Sequence, residues 1–247
     1  MGCLGAEHNL FGGEMASTPL LIVFDCDGTI ADSQHVITEA MRFAFQRAGL
    51  LAPDRSSVIS IIGLSMGEAV ATLAPDACQT TRDDIVCAFR ERSMALRLNP
   101  ITREPLFPGA AQLLRALAER EGVLLGVATG KSRRGVARII EQNGLHGIFT
   151  TIQSADDAPS KPHPAMLFQA MEETGASPET TVMIGDTSYD MLMAASANAA
   201  SIGVAWGYHT KAELRRAGAK AIVHSFAELK SALDGGAVFA RSYEAVA

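Results

Sequence analysis

From residue 123 to residue 233, short apolar runs alternate with amphipathic stretches, and this alternation constrains the fold more than any other feature of the chain. The pattern predicts strands at 123–128, 147–152, 180–184, 200–204 and 220–223, and helices at 132–143, 164–174, 188–197, 211–217 and 226–233. Because each helix returns the chain to the same end of the next strand, such an alternation builds a parallel sheet. The sequence therefore predicts an α/β fold.

A further apolar run at 20–24 is typical of a buried parallel strand, but a long helical stretch separates it from the alternating region. Helical periodicity covers residues 35–48, 58–62, 66–73 and 82–98, and a helix is expected to begin at Pro108. We therefore expect a Rossmann-like parallel core at 19–32 and 105–234, with an inserted all-α cap at 33–104 above the carboxyl ends of the strands. Residues 1–18 are expected to form a disordered leader and residues 235–247 a loose tail.

Composition limits the possible partners of the chain. The 247 residues are 48% hydrophobic, which supports a substantial core, and carry a net charge of −6 without a basic run. This charge argues against nucleic acid as a partner, and no apolar stretch reaches the roughly 20 residues of a membrane span. The four cysteines form no metal or disulfide pattern, so we expect a cytoplasmic protein, as a monomer or homodimer.

Two carboxylates follow the first strand, at Asp25 and Asp27. Ligands of open α/β sheets gather at the carboxyl ends of strands, and residues i and i+2 of a strand point the same way. The two side chains should therefore enter one cavity, where their like charges repel. Either a divalent cation or a shared proton would compensate them.

Other polar residues follow separate strand-to-helix transitions later in the chain. Thr129 ends the strand predicted at 123–128, Lys161 lies in a proline-rich loop, and Asp186 and Asp190 follow the strand predicted at 180–184. A hydroxyl, an ammonium and two more carboxylates are thus expected at the edge of the sheet that holds the first pair.

This ordered set resembles the four motifs of the haloacid dehalogenase (HAD) superfamily: DxDxT, Ser/Thr, Lys and GDxxxD. The predicted helical insertion is similar to the cap of the subgroup that contains phosphoglycolate phosphatases and β-phosphoglucomutases. The resemblance implies a Mg²⁺-dependent phosphatase that hydrolyses a small phosphorylated metabolite, such as phosphoglycolate, through an aspartyl phosphate.

The resemblance also implies roles for the catalytic and phosphate-binding residues. Asp25 would be the nucleophile, since a carboxylate can attack phosphorus, and Asp27 would be the general acid and base. Thr29 would order the loop and Asp27 through its hydroxyl. The phosphate would bind to Thr129 and the amide of Gly130.

The same resemblance assigns the charged groups around Asp25. Lys161 would bind the phosphoryl group and balance Asp25. Magnesium would bind Asp25, the backbone carbonyl of Asp27 and Asp186, because Mg²⁺ prefers hard oxygen ligands. Asp190 would bind the metal directly, bind it through water, or orient Lys161.

Substrate selection is expected in the cap. The segment 63–69, which contains Ser65, resembles the family's substrate-specificity loop, although an ordinary helix connection explains it nearly as well. No lysine lies between residues 33 and 104. A substrate carboxylate would therefore need an arginine, backbone amides or a core group, and Arg55 is the first candidate.

Individual residues distinguish this chain from proteins with related activities. A dehalogenase of this fold lacks the second aspartate, and a phosphonatase needs a cap lysine. β-Phosphoglucomutases usually carry Val where Thr29 stands, which disfavours but leaves open a phosphotransferase. Phospho-receiver domains place their residues in another order. A noncatalytic phosphate-binding relative is the remaining alternative, and no motif position is lost.

Overall fold

A single six-stranded parallel sheet organises the part of the chain that the structure, a computed structural model, describes, residues 18–99 and 104–235. The strands are β1 (Leu20–Phe24), β2 (Val123–Thr129), β3 (Thr151–Ser154), β4 (Thr181–Gly185), β5 (Ala200–Val204) and β6 (Ala221–Val223), in the order β3-β2-β1-β4-β5-β6. The prediction of an α/β fold with a parallel core is confirmed. Most of the predicted leader (1–18) and tail (235–247) lies outside the described residues.

The described residues also form ten α-helices. They are α1 (Gln34–Arg47), α2 (Arg55–Ser60), α3 (Met66–Leu73), α4 (Gln79–Leu98), α5 (Ala110–Ala118), α6 (Arg133–Asn143), α7 (Ala165–Thr174), α8 (Ser188–Ser196), α9 (Lys211–Arg216) and α10 (Phe226–Asp234). Within the described ranges, no helix has the length and apolar character that crossing a membrane requires.

The central strand β1 sets the position of the functional residues. It pairs with β2 and β4, and Phe24 lies opposite both Val127 and Ile184. Residues 21–24 are fully buried, because helices cover both faces of a parallel sheet. Ile22 packs with residues of α5, α6 and α10, whereas Val23 packs with residues of α7 and α8. The loops after β1, β2 and β4 therefore open at one edge.

Helices α1–α4 form a separate apolar cluster, which includes Met41, Val70 and Ile85. We call residues 34–98 the helical segment. A cavity of about 630 Å³ lies between this segment and the carboxyl edge of the sheet. The helical segment therefore forms one wall of the cavity into which the loops after β1 and β2 open.

The chain passes between the sheet and the helical segment twice, and the two passages run side by side. The amide of Asp32 donates to the carbonyl of Pro105 at 2.8 Å, and the amide of Phe107 donates to the carbonyl of Ile30 at 3.0 Å. These bonds hold the outgoing and returning chains together at the edge of the sheet.

Two predicted elements begin at least two residues later than expected. The strand predicted at 147–152 lies at Thr151–Ser154, because a turn with Gly147 at φ +74° occupies the preceding residues. Helix α5 begins at Ala110 rather than Pro108, since Gly109 at φ +91° interrupts the helical geometry. Both shifts follow from glycines in the left-handed region, which favours turns.

Candidate active site

Strand β1 delivers both motif carboxylates to the same cavity. The amide of Asp25 donates to the carbonyl of Ile184 at 2.9 Å, which extends the pairing of β1 with β4 beyond the strand. The side chains of Asp25 and Asp27 both line the cavity. Their surroundings differ, and each belongs to its own group of charged side chains.

Asp25 is held through only one of its carboxylate oxygens. Its Oδ1 lies 2.9 Å from Lys161 Nζ and accepts a hydrogen bond from the Cys26 amide at 2.6 Å. Its Oδ2 is buried and has no hydrogen-bond partner within the part of the chain that the structure describes. A fully buried carboxylate oxygen without a donor is costly, so this atom is available to a ligand or a cation.

Asp186 and Asp190 complete this group. Asp186 is oriented by a residue of the loop after β1, and Asp190 by the residue that caps α8. Asp186 Oδ1 accepts from the Thr29 hydroxyl at 2.9 Å, so Thr29 orders Asp186 rather than Asp27, the residue expected from the sequence. Asp190 Oδ2 accepts from the amide and hydroxyl of Thr187, which caps α8. Asp190 Oδ1 lies 2.6 Å from Lys161 Nζ, the contact of an orienting residue.

We call Asp25, Lys161, Asp186 and Asp190 the Asp25 cluster. Ligand atoms of the three carboxylates lie within 4.8 Å of one another. Among the described residues, Lys161 is the one cation in contact with this group, and it contacts Asp25 and Asp190. Burial raises the pKa of Asp25 to about 7, with Asp190 adding to the shift and Lys161 opposing it. Burial, with Asp190 and Asp25 nearby, also raises the pKa of Asp186. The cluster is therefore short of positive charge and fits a divalent cation.

Asp27 lies in a second group that sequence reasoning missed. Its Oδ1 lies 2.6 Å from Lys131 Nζ and accepts from the Ser33 hydroxyl. Lys131 also lies 3.3 Å from Glu104 Oε1, and Arg97 donates to both oxygens of Glu104 at 2.7 and 2.9 Å. We call these five residues the Asp27 cluster.

The Asp27 cluster balances its own charges. Burial alone would raise the pKa of Glu104, but Lys131 and Arg97 outweigh it and lower the pKa to about 2. Burial would lower the pKa of Lys131, but Asp27 and Glu104 raise it above its ordinary value. The position of Lys131, directly after the Thr129–Gly130 pair in a chain with five lysines, was the one available sequence signal.

The residues expected to bind phosphate lie beside the loop between α2 and α3. Thr129 is buried and lines the cavity, and its hydroxyl oxygen accepts from the Lys131 amide at 3.2 Å. A side chain at Gly130 would collide with the backbone oxygens of Gly63 and Leu64. Glycine at residue 130 therefore permits the helical segment to approach the sheet edge closely.

The loop proposed to select substrates contacts the core. Residues 63–67 line the cavity, and the Ser65 amide donates to the Ser160 hydroxyl at 2.8 Å. The Ser65 side chain accepts from the Glu68 amide and so caps α3. Ser160 directly precedes Lys161, so this contact joins the helical segment to the Asp25 cluster.

The structure places the candidate arginine outside the cavity. Arg55 is the exposed first residue of α2 and donates to the Gln34 side chain, and it does not line the cavity. Arg90 of α4 and Arg134 and Arg138 of α6 do line it, and none of these three forms an ion pair within the described residues. Their position depends on how α4 and α6 pack, which helical periodicity does not predict.

Comparison with known proteins identifies the family. A sequence model of the haloacid dehalogenase-like hydrolase family matches residues 22–204, so the chain belongs to this family. A probable phosphatase IndB of Dickeya dadantii is 35% identical over 215 residues, 86% of this chain and 92% of the relative. A phosphoglycolate phosphatase of Nitrosococcus oceani is 27% identical over 226 residues, 90% of this chain and 100% of the relative.

A solved structure agrees with these relatives. The crystal structure of a predicted phosphatase from Clostridium acetobutylicum is 28% identical to the chain with a TM-score of 0.77, covering 88% of this chain and 100% of that one. The predictions of a HAD hydrolase and of similarity to phosphoglycolate phosphatases are confirmed.

Proposed function

We propose that this protein is a Mg²⁺-dependent phosphatase that hydrolyses a small phosphate monoester through an aspartyl phosphate on Asp25. The observation that supports this most is the unpaired Oδ2 of Asp25, in a residue that lines the cavity while Lys161 and the Cys26 amide hold the other oxygen. A carboxylate held in this way can attack phosphorus. The phosphatases among the relatives support the same activity.

The phosphoryl group would lie beside Asp25 at the ends of β1 and β2. The Thr129 hydroxyl, the Gly130 amide and the Lys161 ammonium would hold its oxygens there. Phosphoryl transfer depends mainly on positioning and electrostatic stabilisation, which these groups would supply. Asp190 would keep Lys161 in place through the contact at 2.6 Å.

Asp27 would move the protons. In the first step Asp25 Oδ2 forms a bond to phosphorus, the ester P–O bond breaks, and Asp27 gives its proton to the leaving alkoxide. In the second step Asp27 takes a proton from water, the water oxygen attacks phosphorus, and the Asp25 carboxylate is released. The Lys131 and Ser33 contacts occupy Oδ1 of Asp27, so Oδ2 would carry the proton.

Asp25, the backbone carbonyl of Asp27 and Asp186 would hold Mg²⁺, while Asp190 would orient Lys161 beside them. Three observations fit this assignment: ligand atoms of Asp25, Asp186 and Asp190 within 4.8 Å of one another, the raised pKa of Asp25 and Asp186, and a donor set made only of hard oxygens. Mg²⁺ bound there would offset the negative charge of the carboxylates and the phosphoryl oxygens. Its binding would return both pKa values toward the ordinary range.

The substrate would carry a second anionic group, with 2-phosphoglycolate as the first choice. Arg90, Arg134 and Arg138 line the cavity and have no ion-pair partner among residues 18–99 and 104–235, so they are available to an anion. They take the role that the sequence suggested for Arg55. The helical segment would close the cavity and exclude bulk water during transfer.

A panel of phosphate esters tests this function. The purified protein should release phosphate from 2-phosphoglycolate and more slowly from p-nitrophenyl phosphate, in Mg²⁺ but not in EDTA. The Asp25→Asn protein should release none above background. Interconversion of sugar phosphate isomers without net phosphate release would instead identify a phosphotransferase, and full activity in EDTA would contradict the metal assignment.

A further inference from the structure

The Asp27 cluster forms a continuous line of alternating charges from the helical segment to the end of β1. Arg97 belongs to the last turn of α4, Glu104 begins the returning passage, Lys131 lies between β2 and α6, and Asp27 follows β1. The side chains of these residues are 14%, 3%, 4% and 11% exposed, in that order. Every contact along the line is therefore shielded from water.

Both passages between the sheet and the helical segment are linked to Asp27, the outgoing one directly and the returning one through Lys131. Ser33, which occupies the N-cap position of α1 at the outgoing passage, donates a hydrogen bond from its hydroxyl to Asp27 Oδ1. Glu104, at the returning passage, holds the lysine that contacts the same oxygen. A rotation of the helical segment about these two passages would disturb both contacts together.

Stability alone does not explain this line. Burying four charges costs desolvation free energy, and apolar residues of similar volume often replace buried ion pairs without loss of stability. The line ends on the residue that would move protons, and its other end lies on the element that would close the cavity. This arrangement suits coupling between the two.

We propose that Glu104 and Lys131 are positioning residues that hold Asp27 in its reactive orientation only while Arg97 of the helical segment is docked on Glu104. The proposal rests on the proposed function, in which Asp27 is the general acid. Arg97, Glu104 and Lys131 would act through Asp27 without contacting the reacting atoms.

The dependence on leaving group tests this proposal. Glu104→Gln should lower kcat/KM for an alkyl phosphate such as glycerol phosphate by about tenfold to a hundredfold, the effect of a misplaced catalytic group. It should lower kcat/KM for p-nitrophenyl phosphate much less, because p-nitrophenolate leaves with little help from an acid. A merely structural residue would lower both values equally, and that result would overturn the proposal.

Two further variants allow the test to be made even if Glu104→Gln does not fold. Arg97→Gln removes the more exposed end of the line and leaves the Lys131–Glu104 pair in place, so it should fold and show the same selective loss, in smaller degree. Arg92→Gln is the matched control, since Arg92 lies on the same helix, pairs with Glu39 at 2.9 Å and does not line the cavity. It should leave both kcat/KM values unchanged, and an equal selective loss in Arg92→Gln would contradict the proposal.

Combination with Asp27→Asn tests whether the line acts through Asp27. In that background, Arg97→Gln should cause no further loss on the alkyl phosphate, because the residue it positions has lost its function. If Arg97→Gln lowered kcat/KM by the same factor in the Asp27→Asn background as in the wild type, the proposal would be overturned. A wild-type protein without phosphatase activity would refute the proposed function, whereas an active wild type with unselective losses refutes only this inference.

Discussion

Asp25 and Asp27 lie one residue apart at the end of the same strand, yet their electrostatic surroundings are opposite. The Asp25 cluster has three buried carboxylates and one lysine, and one oxygen of Asp25 has no hydrogen-bond partner among the described residues. The Asp27 cluster matches its two carboxylates with Lys131 and Arg97. The first cluster is incomplete without a ligand, whereas the second is complete in the protein alone.

The two clusters also respond to pH in opposite directions. In the metal-free protein the pKa of Asp25 is raised from 3.8 to about 7, so its ionisation costs stability as pH rises through that range. The pKa of Glu104 is lowered from 4.5 to about 2, so its ionisation stabilises the fold above pH 4.5. The Asp25 cluster, which favours binding of a cation, thus adjoins the Asp27 cluster, whose ionised groups stabilise the fold.

The largest expected effect follows from removing the nucleophile. Asp25→Asn should lower kcat by about a thousandfold or more, because an amide cannot form the acyl phosphate. Steady-state phosphate release measures the loss, and circular dichroism should show an intact fold. A variant that retained half of the activity would show that Asp25 is not the nucleophile.

Even without substrate, Mg²⁺ should stabilise the protein, and this stabilisation should depend on the Asp25 cluster but not on the Asp27 cluster. Saturating Mg²⁺ should stabilise the wild type by about 2–3 kcal/mol at a hundredfold excess over Kd, a melting shift of roughly 5–10 °C for a chain of this size. Asp186→Asn should lose most of this shift, since it removes a proposed ligand.

Glu104→Gln provides the control for the metal experiment. This change lies in the Asp27 cluster, so the variant should retain the Mg²⁺-dependent shift. An equal shift in the wild type and in Asp186→Asn would contradict the metal assignment, and loss of the shift in Glu104→Gln would contradict the separation of the two clusters.

The contribution of Glu104 to the free energy of unfolding should decrease as the pH is lowered. Glu104→Gln should lower the free energy of unfolding at pH 7 by about 3 kcal/mol, the value of a pKa lowered from 4.5 to about 2. The difference between wild type and variant should shrink as pH falls from 4.5 toward 2, where Glu104 of the wild type becomes protonated. Urea unfolding at pH 7 and pH 3 measures it, and a difference that stayed constant would contradict the assigned pKa.

The smallest expected effect concerns the cavity arginines. Arg138→Gln should lower kcat/KM for 2-phosphoglycolate by about tenfold, the value of one charge-assisted contact, and leave p-nitrophenyl phosphate nearly unchanged. Arg215→Gln, which removes the same charge from an exposed position on α9, is the matched control. Equal losses on both substrates in Arg138→Gln would mean that Arg138 does not contact the second anion.

The sequence predicted the sheet and the Asp25 cluster for the same physical reason. Apolar runs mark buried strands, and polar residues directly after them fall at one edge when the strands are parallel. Asp25 and Asp186 directly follow β1 and β4, and Lys161 lies in the loop between β3 and α7, so the strand pattern placed all three at one edge.

The Asp27 cluster depends on contacts that spacing does not encode. Glu104 lies between two elements, and Arg97 belongs to a helix whose docking on the sheet is set by tertiary packing. Helical periodicity gave no reason to prefer Arg97 or Arg138 over Arg55. Sequence reasoning therefore identified the residues proposed to react but not those that would position them or select the substrate.

The central claim is that Asp25 receives the phosphoryl group while Asp27 moves the protons. Acid quenching of the Asp27→Asn protein during turnover of p-nitrophenyl phosphate, followed by mass spectrometry of its peptides, tests this directly. Because this variant lacks the base that activates water, the phosphoenzyme should accumulate, and the peptide that contains Asp25 should gain the mass of one phosphoryl group. Asp25→Asn treated in the same way should gain none. A phosphoryl group on another residue, or none in a variant that still turns over substrate, would contradict the account.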